Sequence, residues 1–222
     1  MAIWLVKPKP SPRPHNIRIA MWYGPLAVDS LRRVRHNETM AKAAGPPNVK
    51  LICGIISGSP GVLDEAITAV GKLFGAIDIA SERVAFDLTD YYEDQMGSGL
   101  LRQFVSFAQP RSPDVLVQAK QATNALEAEI ASRHPDGPAR PVNLDPGYIE
   151  QAKLVLASMK NFAHRIHLAG GVYGEVTLLY RKGGGWSSLP WTFPDYASGR
   201  YDTFLTAVRE KLRQQAYGKD PT

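Results

Sequence analysis

Residues 49–56 form an apolar run of strand length, interrupted only by Lys50, and the residues after it constrain the fold more than any others in the chain. Ser59-Pro60 supplies an N-cap with proline at the first helical position, and Leu63, Ala66, Ile67, Val70, Leu73 and Phe74 then recur at helical spacing until Gly75. A strand therefore feeds directly into a helix. Residues 77–87 read as a second strand, Met96-Gly97-Ser98-Gly99 as a turn and residues 101–107 as a third strand. Ser112-Pro113-Asp114 opens a helix carrying Val115, Ala119, Ala122, Leu126 and Ile130 on one face, which breaks at residues 134–138. Residues 140–144 make a fourth short strand. The order strand, helix, strand, strand, helix, strand is the ferredoxin-like succession.

Beyond it, Asp145-Pro146 repeats the cap-plus-proline device and predicts a helix over 145–160, with Tyr148, Ala152, Val155 and Met159 on one side. Residues 162–168 and 172–182 read as strands of a hairpin turning at Ala169-Gly170-Gly171. An irregular aromatic segment over 186–196 follows, and Tyr201, Phe204, Leu205, Val208 and Leu212 mark a terminal amphipathic helix. The expected class is α+β: one domain over residues 47–217, with a ferredoxin-like start followed by a helix, a β-hairpin and a C-terminal helix.

At 222 residues the chain can bury one sizeable core. Its single cysteine, Cys53, lies in the first apolar run, which excludes an internal disulfide framework and a cysteine-based zinc site and suits a cytoplasmic location. No stretch approaches the ~18 apolar residues of a membrane-spanning helix. The net charge of +5 invites a nucleic-acid partner until it is mapped. Residues 1–39 hold seven basic side chains against two acidic ones, which leaves 19 of each sign in the other 183 residues. The globular part is neutral, so neither nucleic acid nor membrane is expected as its partner. Residues 1–46 read as a basic, proline-rich, disordered extension, with Met40 a start-like position, and residues 218–222 as a disordered tail.

Several motifs resemble a bacterial and archaeal family catalogued as a domain of unknown function, whose members are sometimes labelled "GTP-binding protein". They are Phe86-Asp-Leu-Thr-Asp-Tyr-Tyr92, Val142-Asn-Leu-Asp-Pro-Gly-Tyr148, Lys160, Ala163-His-Arg-Ile166, Gly174-Glu-Val-Thr-Leu178 and Pro190-Trp-Thr-Phe-Pro-Asp-Tyr196. The likeness runs from Val49 to the last helix. His167 and Phe193 stand where the family tends to have tyrosine, so neither position carries an obligatory group. The resemblance implies boundaries and motif positions but no reaction. The GTP label does not fit a P-loop: Gly71-Lys72, the one Gly-Lys pair at issue, lies inside the first helix and is followed by Leu73 rather than Ser or Thr.

The polar residues of these motifs define a candidate cleft. Asp87 and Asp90, at a strand end, could hold Mg²⁺ or cap local N–H groups. Asp90, His164 and Glu175 are the candidate acid–base groups, His164 and Arg165 being expected on opposite faces of a strand, with Ile166 buried beside His164. Asp87, Tyr91, Asn143, Asp145, Tyr148, Lys160, Arg165, Thr192 and Asp195 are the candidate ligand-binding residues. Asp145 also reads as a plain N-cap, and Trp191 and Tyr196 as core plugs. This set suits a phosphorylated or nucleotide-like ligand and Mg-assisted hydrolysis or phosphoryl transfer. The alternative is a non-catalytic binding or assembly protein whose polar motifs form a structural network.

The five prolines Pro8, Pro10, Pro12, Pro14 and Pro25 and the missing periodicity over residues 1–39 give one direct test. A chain beginning at Met40 should melt within about 2 °C of the full chain, and a larger drop would show that the extension is docked.

Overall fold

The computed structural model describes residues 44–217, so the expectations for residues 1–43 and 218–222 lie outside the described residues. Strand β1 (Lys50–Ser57) is buried along its whole length, as the apolar run requires. Helix α1 (Pro60–Phe74) follows, capped by the Ser59 side chain on the Val62 N–H. Then come β2 (Ile77–Ala80), β3 (Val84–Ala85), the short α2 (Glu93–Met96), β4 (Leu101–Phe107) and α3 (Val115–Arg133). The chain continues through β5 (Asn143–Ile149), β6 (Lys153–Ser158), β7 (Ile166–Ala169), β8 (Val172–Arg181), β9 (Gly185–Ser188), α4 (Pro194–Ala197) and α5 (Asp202–Tyr217).

The strands form one antiparallel sheet in the order β2-β4-β1-β5-β6-β8-β7, with β3 pairing β4 and β9 pairing β8. The run β2-β4-β1-β5 is the ferredoxin-like order, so the first half matches the expected succession. Strand alternation on β1 then divides the interior. Leu51, Cys53 and Ile55 join α1 and α3 in one core, with Phe107 and Leu144. Ile52 points the other way, into a second core where Phe104, Leu154 and Leu178 meet Phe204, Leu205 and Val208 of the α5 region. The described residues form one α+β domain with helices on both faces of its sheet. Among the described residues no helix is long and apolar enough to cross a membrane.

Four expectations are corrected. Residues 145–160 are not a helix but the end of β5, a turn closed by the Glu150 N–H to Lys153 O bond of 3.0 Å, and β6. Asp145 is therefore a strand residue and not an N-cap, and Lys160 follows a strand end. The helical spacing of Tyr148, Val155 and Met159 was a coincidence, overridden because β1 offers seven pairing positions along residues 143–149. The single strand over 77–87 is two short strands, β2 and β3, both laid on β4. The strand expected over 162–168 begins only at Ile166; Arg165 N–H bonds Phe162 O in a turn, so alternation does not separate His164 from Arg165. Ile166 is 73% exposed rather than buried, because β7 is the outermost strand.

One buried ion closes the far side of the domain. Lys50 is fully buried, with its ammonium 2.6 Å from Asp78 Oδ2 and also donating to Ala108 O and Gln215 Oε1. Burial works against the Asp78 carboxylate, yet hydrogen bonds from Lys50 and Ser106 hold its pKa below the usual aspartate range. A depressed carboxylate stabilises the fold above its unfolded pKa and loses that contribution as pH falls through the folded value. Asp78→Asn should therefore cost about 3 kcal/mol at pH 7 by stranding the Lys50 charge. The deficit should shrink as pH drops below about 4, where the wild-type group also protonates. Urea unfolding at pH 7 and pH 3 checks both; a pH-independent deficit would contradict the ion pair as its origin.

Candidate functional site

The β5–β6 ladder pairs only Gly147, Tyr148 and Ile149 with Leu156, Val155 and Leu154. Beyond it, β5 pairs on to Asn143 with β1 alone, and β6 on to Ser158 with β8 alone. The sheet therefore splits into a wedge, and a cleft of about 500 Å³ fills it. The Asn143-Leu-Asp-Pro-Gly-Tyr148 motif builds this split. Pro146 has no N–H to add to a ladder, and pairing to β6 stops at its neighbour. Gly147 lets the strands close just before the opening: a Cβ there would sit 2.6 Å from Val155 O and 2.5 Å from Leu156 Cδ2. Tyr148, expected to bind ligand, packs with Val155 instead and does not line the cleft.

Where β6 leaves β5, helix α3 takes its place. Glu127 accepts from the Leu144 N–H at 2.6 Å, and Lys120 Nζ donates to Leu144 O at 2.9 Å. Lys120, Asn124, Glu127, Ala128 and Ala131 put one stripe of α3 along the cleft wall. Burial pushes the Glu127 carboxyl above the ordinary glutamate range, against the pull of Lys120, Arg140 and the Leu144 N–H.

The floor is an ion network. In register, Gly54 of β1 lies between Phe104 of β4 and Asp145 of β5. Lacking a side chain, it leaves a lane through which Arg102 Nη2 reaches Asp145 Oδ2 at 3.1 Å. The Arg102 guanidinium also pairs with Asp195 and donates to the Tyr196 hydroxyl at 3.1 Å. Asn143 Nδ2 donates to Asp145 Oδ2 at 2.7 Å, and Arg140 bonds both Asn143 and, at 3.0 Å, Glu127. On the β8 side, Glu175 accepts from Arg165 Nε at 2.8 Å and meets His164 Nε2 at 3.0 Å. Arg165 donates further to Ser158 Oγ and Lys160 O. At the mouth, Lys160 Nζ lies 2.7 Å from the Tyr91 hydroxyl.

Of the residues picked from the sequence, Tyr91, Asn143, Asp145, Lys160, Arg165, Glu175 and Asp195 line this one cleft. His164 sits one bond behind it on Glu175, stacked on Trp191 with ring centroids 5.3 Å apart. Thr192 serves the backbone, donating to Thr177 O and accepting from the Leu189 N–H. Asp87 and Asp90 do not line the cleft: Asp87 is exposed and pairs with Arg200 at 2.6 Å, and Asp90 is exposed in the turn before α2. Among the described residues no group of three or more His, Cys, Asp or Glu side chains is placed to hold a metal. Trp191, expected in the core, is partly exposed, whereas Tyr196 is buried as expected.

Arg102, Lys120, Glu127 and Arg140 were missed. A charge inside the apolar run Leu101-Arg-Gln-Phe-Val was the available signal for Arg102. For Lys120 and Glu127 it was their position, seven apart, beside the apolar stripe of α3.

A split α+β sheet with an ion-lined wedge defines the class. Residues 47–212, more than half of the chain, match the family described as "Domain of unknown function (DUF4416)", and the chain belongs to that family. No curated protein and no solved structure matches the chain.

The close approach at the wedge apex is testable. Gly147→Ala should destabilise the protein by about 2–3 kcal/mol in chemical denaturation, since the Leu156 side chain can swing aside but the Val155 backbone carbonyl, just as close, cannot. A loss below about 0.5 kcal/mol would mean that the strands do not meet this closely.

Proposed function

We propose that the cleft binds a small phosphorylated or nucleotide-like compound. One observation carries this reading. Five cations (Arg102, Lys120, Arg140, Lys160, Arg165) and four carboxylates (Glu127, Asp145, Glu175, Asp195) line the cleft, and among the described residues Lys160 alone has no carboxylate partner. Its ammonium at the mouth meets only a phenol, so the unmatched positive charge faces the opening. Phosphate oxygens are strong acceptors that suit such an ammonium with guanidinium groups beside it. Phe86, Tyr92, Met159 and Phe193 add apolar lining for the organic part of a ligand.

A hydrolase or phosphotransferase would draw its acid–base chemistry from the His164–Glu175 pair. Asp87 and Asp90 stand outside the lining, so anion binding falls to the cations whether or not Mg²⁺ accompanies the ligand. The rival reading, a non-catalytic binding or assembly protein, is favoured by the floor, where Arg102, Asp145, Asn143 and Asp195 already pair with one another.

Thermal-shift titration with inorganic phosphate, AMP and GMP, each with and without Mg²⁺, separates the two. Binding should raise Tm with concentration, and Lys160→Ala should weaken it by roughly tenfold without lowering the ligand-free Tm. No shift with any of the compounds would leave the structural-network reading standing.

A further inference from the structure

Deep in the cleft, two side chains carry hydrogen-bonding capacity that the protein does not use. Lys120 Nζ has three N–H donors and spends one on Leu144 O at 2.9 Å. Asp145 accepts twice at Oδ2, from Arg102 and Asn143, while Oδ1 accepts no hydrogen bond from the described residues. Nζ and Oδ1 face each other at 4.0 Å, too far for a direct bond. An oxygen about 2.8 Å from both would span this gap.

That oxygen must accept from an ammonium and donate to a carboxylate. A hydroxyl or a water does both at one atom. A phosphate dianion cannot donate, and beside Asp145 it would meet a like charge. Resting on the reading of the cleft as an anion site, we propose that Lys120 and Asp145 hold a hydroxyl of the bound compound, while its phosphate lies toward Lys160. The ligand is then a hydroxylated phosphate ester, of the sugar-phosphate class, rather than a bare anion or an alkyl phosphate.

The physical basis for selectivity is burial. The Lys120 side chain is 7% exposed and that of Asp145 21%, so a compound that fills the cleft without a hydroxyl here would shut water out and leave both groups short of a partner. A site built to hydrogen-bond a substrate hydroxyl discriminates strongly against an analogue that lacks it. A ligand oxygen here would also join Lys120 and Asp145 into one closed chain of charge-assisted bonds.

Calorimetric titration of the full chain with ribose 5-phosphate and with pentyl phosphate tests this, since the two share a phosphate and a five-carbon body and differ in their hydroxyls. Ribose 5-phosphate should bind at least about tenfold more tightly. Lys120→Met should bring the two esters to within about twofold of each other, whatever it takes from the phosphate affinity that they share. If that variant does not fold, the wild-type comparison decides alone. Equal affinities in the wild type would overturn the hydroxyl pair, the gap then holding water only, and would leave the anion site standing. Binding of neither ester would overturn both.

Discussion

The Arg102 guanidinium is the charge around which this domain is assembled. Its side chain is 3% exposed and lies 4.8–5.7 Å from the ring centroids of Phe86, Phe104, Tyr196 and Tyr201. Burial works against the cation, but Tyr196, Asp195 and Asp145 around it push its pKa up, so it stays charged. Burying an ion costs several kcal/mol, which only well-placed partners offset. Those partners come from α4 and β5, and the Tyr201 hydroxyl adds a bond to Asp195 just before α5. The short α4, too small to stand alone, is held in place by this contact. Burial also raises the Tyr201 hydroxyl, to about 12, which keeps it a neutral donor.

The split between β5 and β6 is the second constraint, and it follows from backbone accounting. Every buried N–H and C=O needs a partner. A strand cannot simply leave its neighbour inside a protein. Here the exposed pair at Leu144 is taken over by Glu127 and Lys120, one full heptad apart on α3. The polar stripe of that helix thus replaces a missing strand while lining the opening it creates. Structural need and binding capacity reside in the same side chains, and for Lys120 the arithmetic of donors leaves capacity to spare.

Around the mouth the surface turns apolar. Tyr91, Met159 and Phe193 are exposed and line the cleft, with Phe162 and Trp191 flanking His164. Aromatic and thioether groups thus stand at the entrance above an ionic floor. The wall itself is rigid where it is charged: Arg165 has three partners in Glu175, Ser158 and Lys160. Among the described residues the Lys160 ammonium bonds no side chain but the Tyr91 hydroxyl, and the Tyr91 ring also meets that of Tyr92 edge-on at 4.9 Å.

Much of the fold was legible because local pattern and tertiary need agreed. The apolar run of β1, the Ser59-Pro60 cap and the α3 stripe each point one way, and the strand order β2-β4-β1-β5 follows from their succession. The motifs holding Asn143, Asp145, Lys160, Arg165, Glu175 and Asp195 were likewise visible, since polar groups stood among residues bound for the interior. What failed was Asp145-Pro146, where a cap-plus-proline signature competed with seven pairing positions on β1 and lost. No periodicity could reveal that, because the partner strand lies some ninety residues earlier. Arg102, Lys120 and Glu127 left only a faint signal, a charge beside apolar neighbours, and it is the split sheet that brings them to one opening. The sequence by itself determined the core carried by β1, α1 and α3, and which groups were too polar to be buried alone. Only the tertiary structure decided where the sheet would open, because that depends on which strand runs out of partners first.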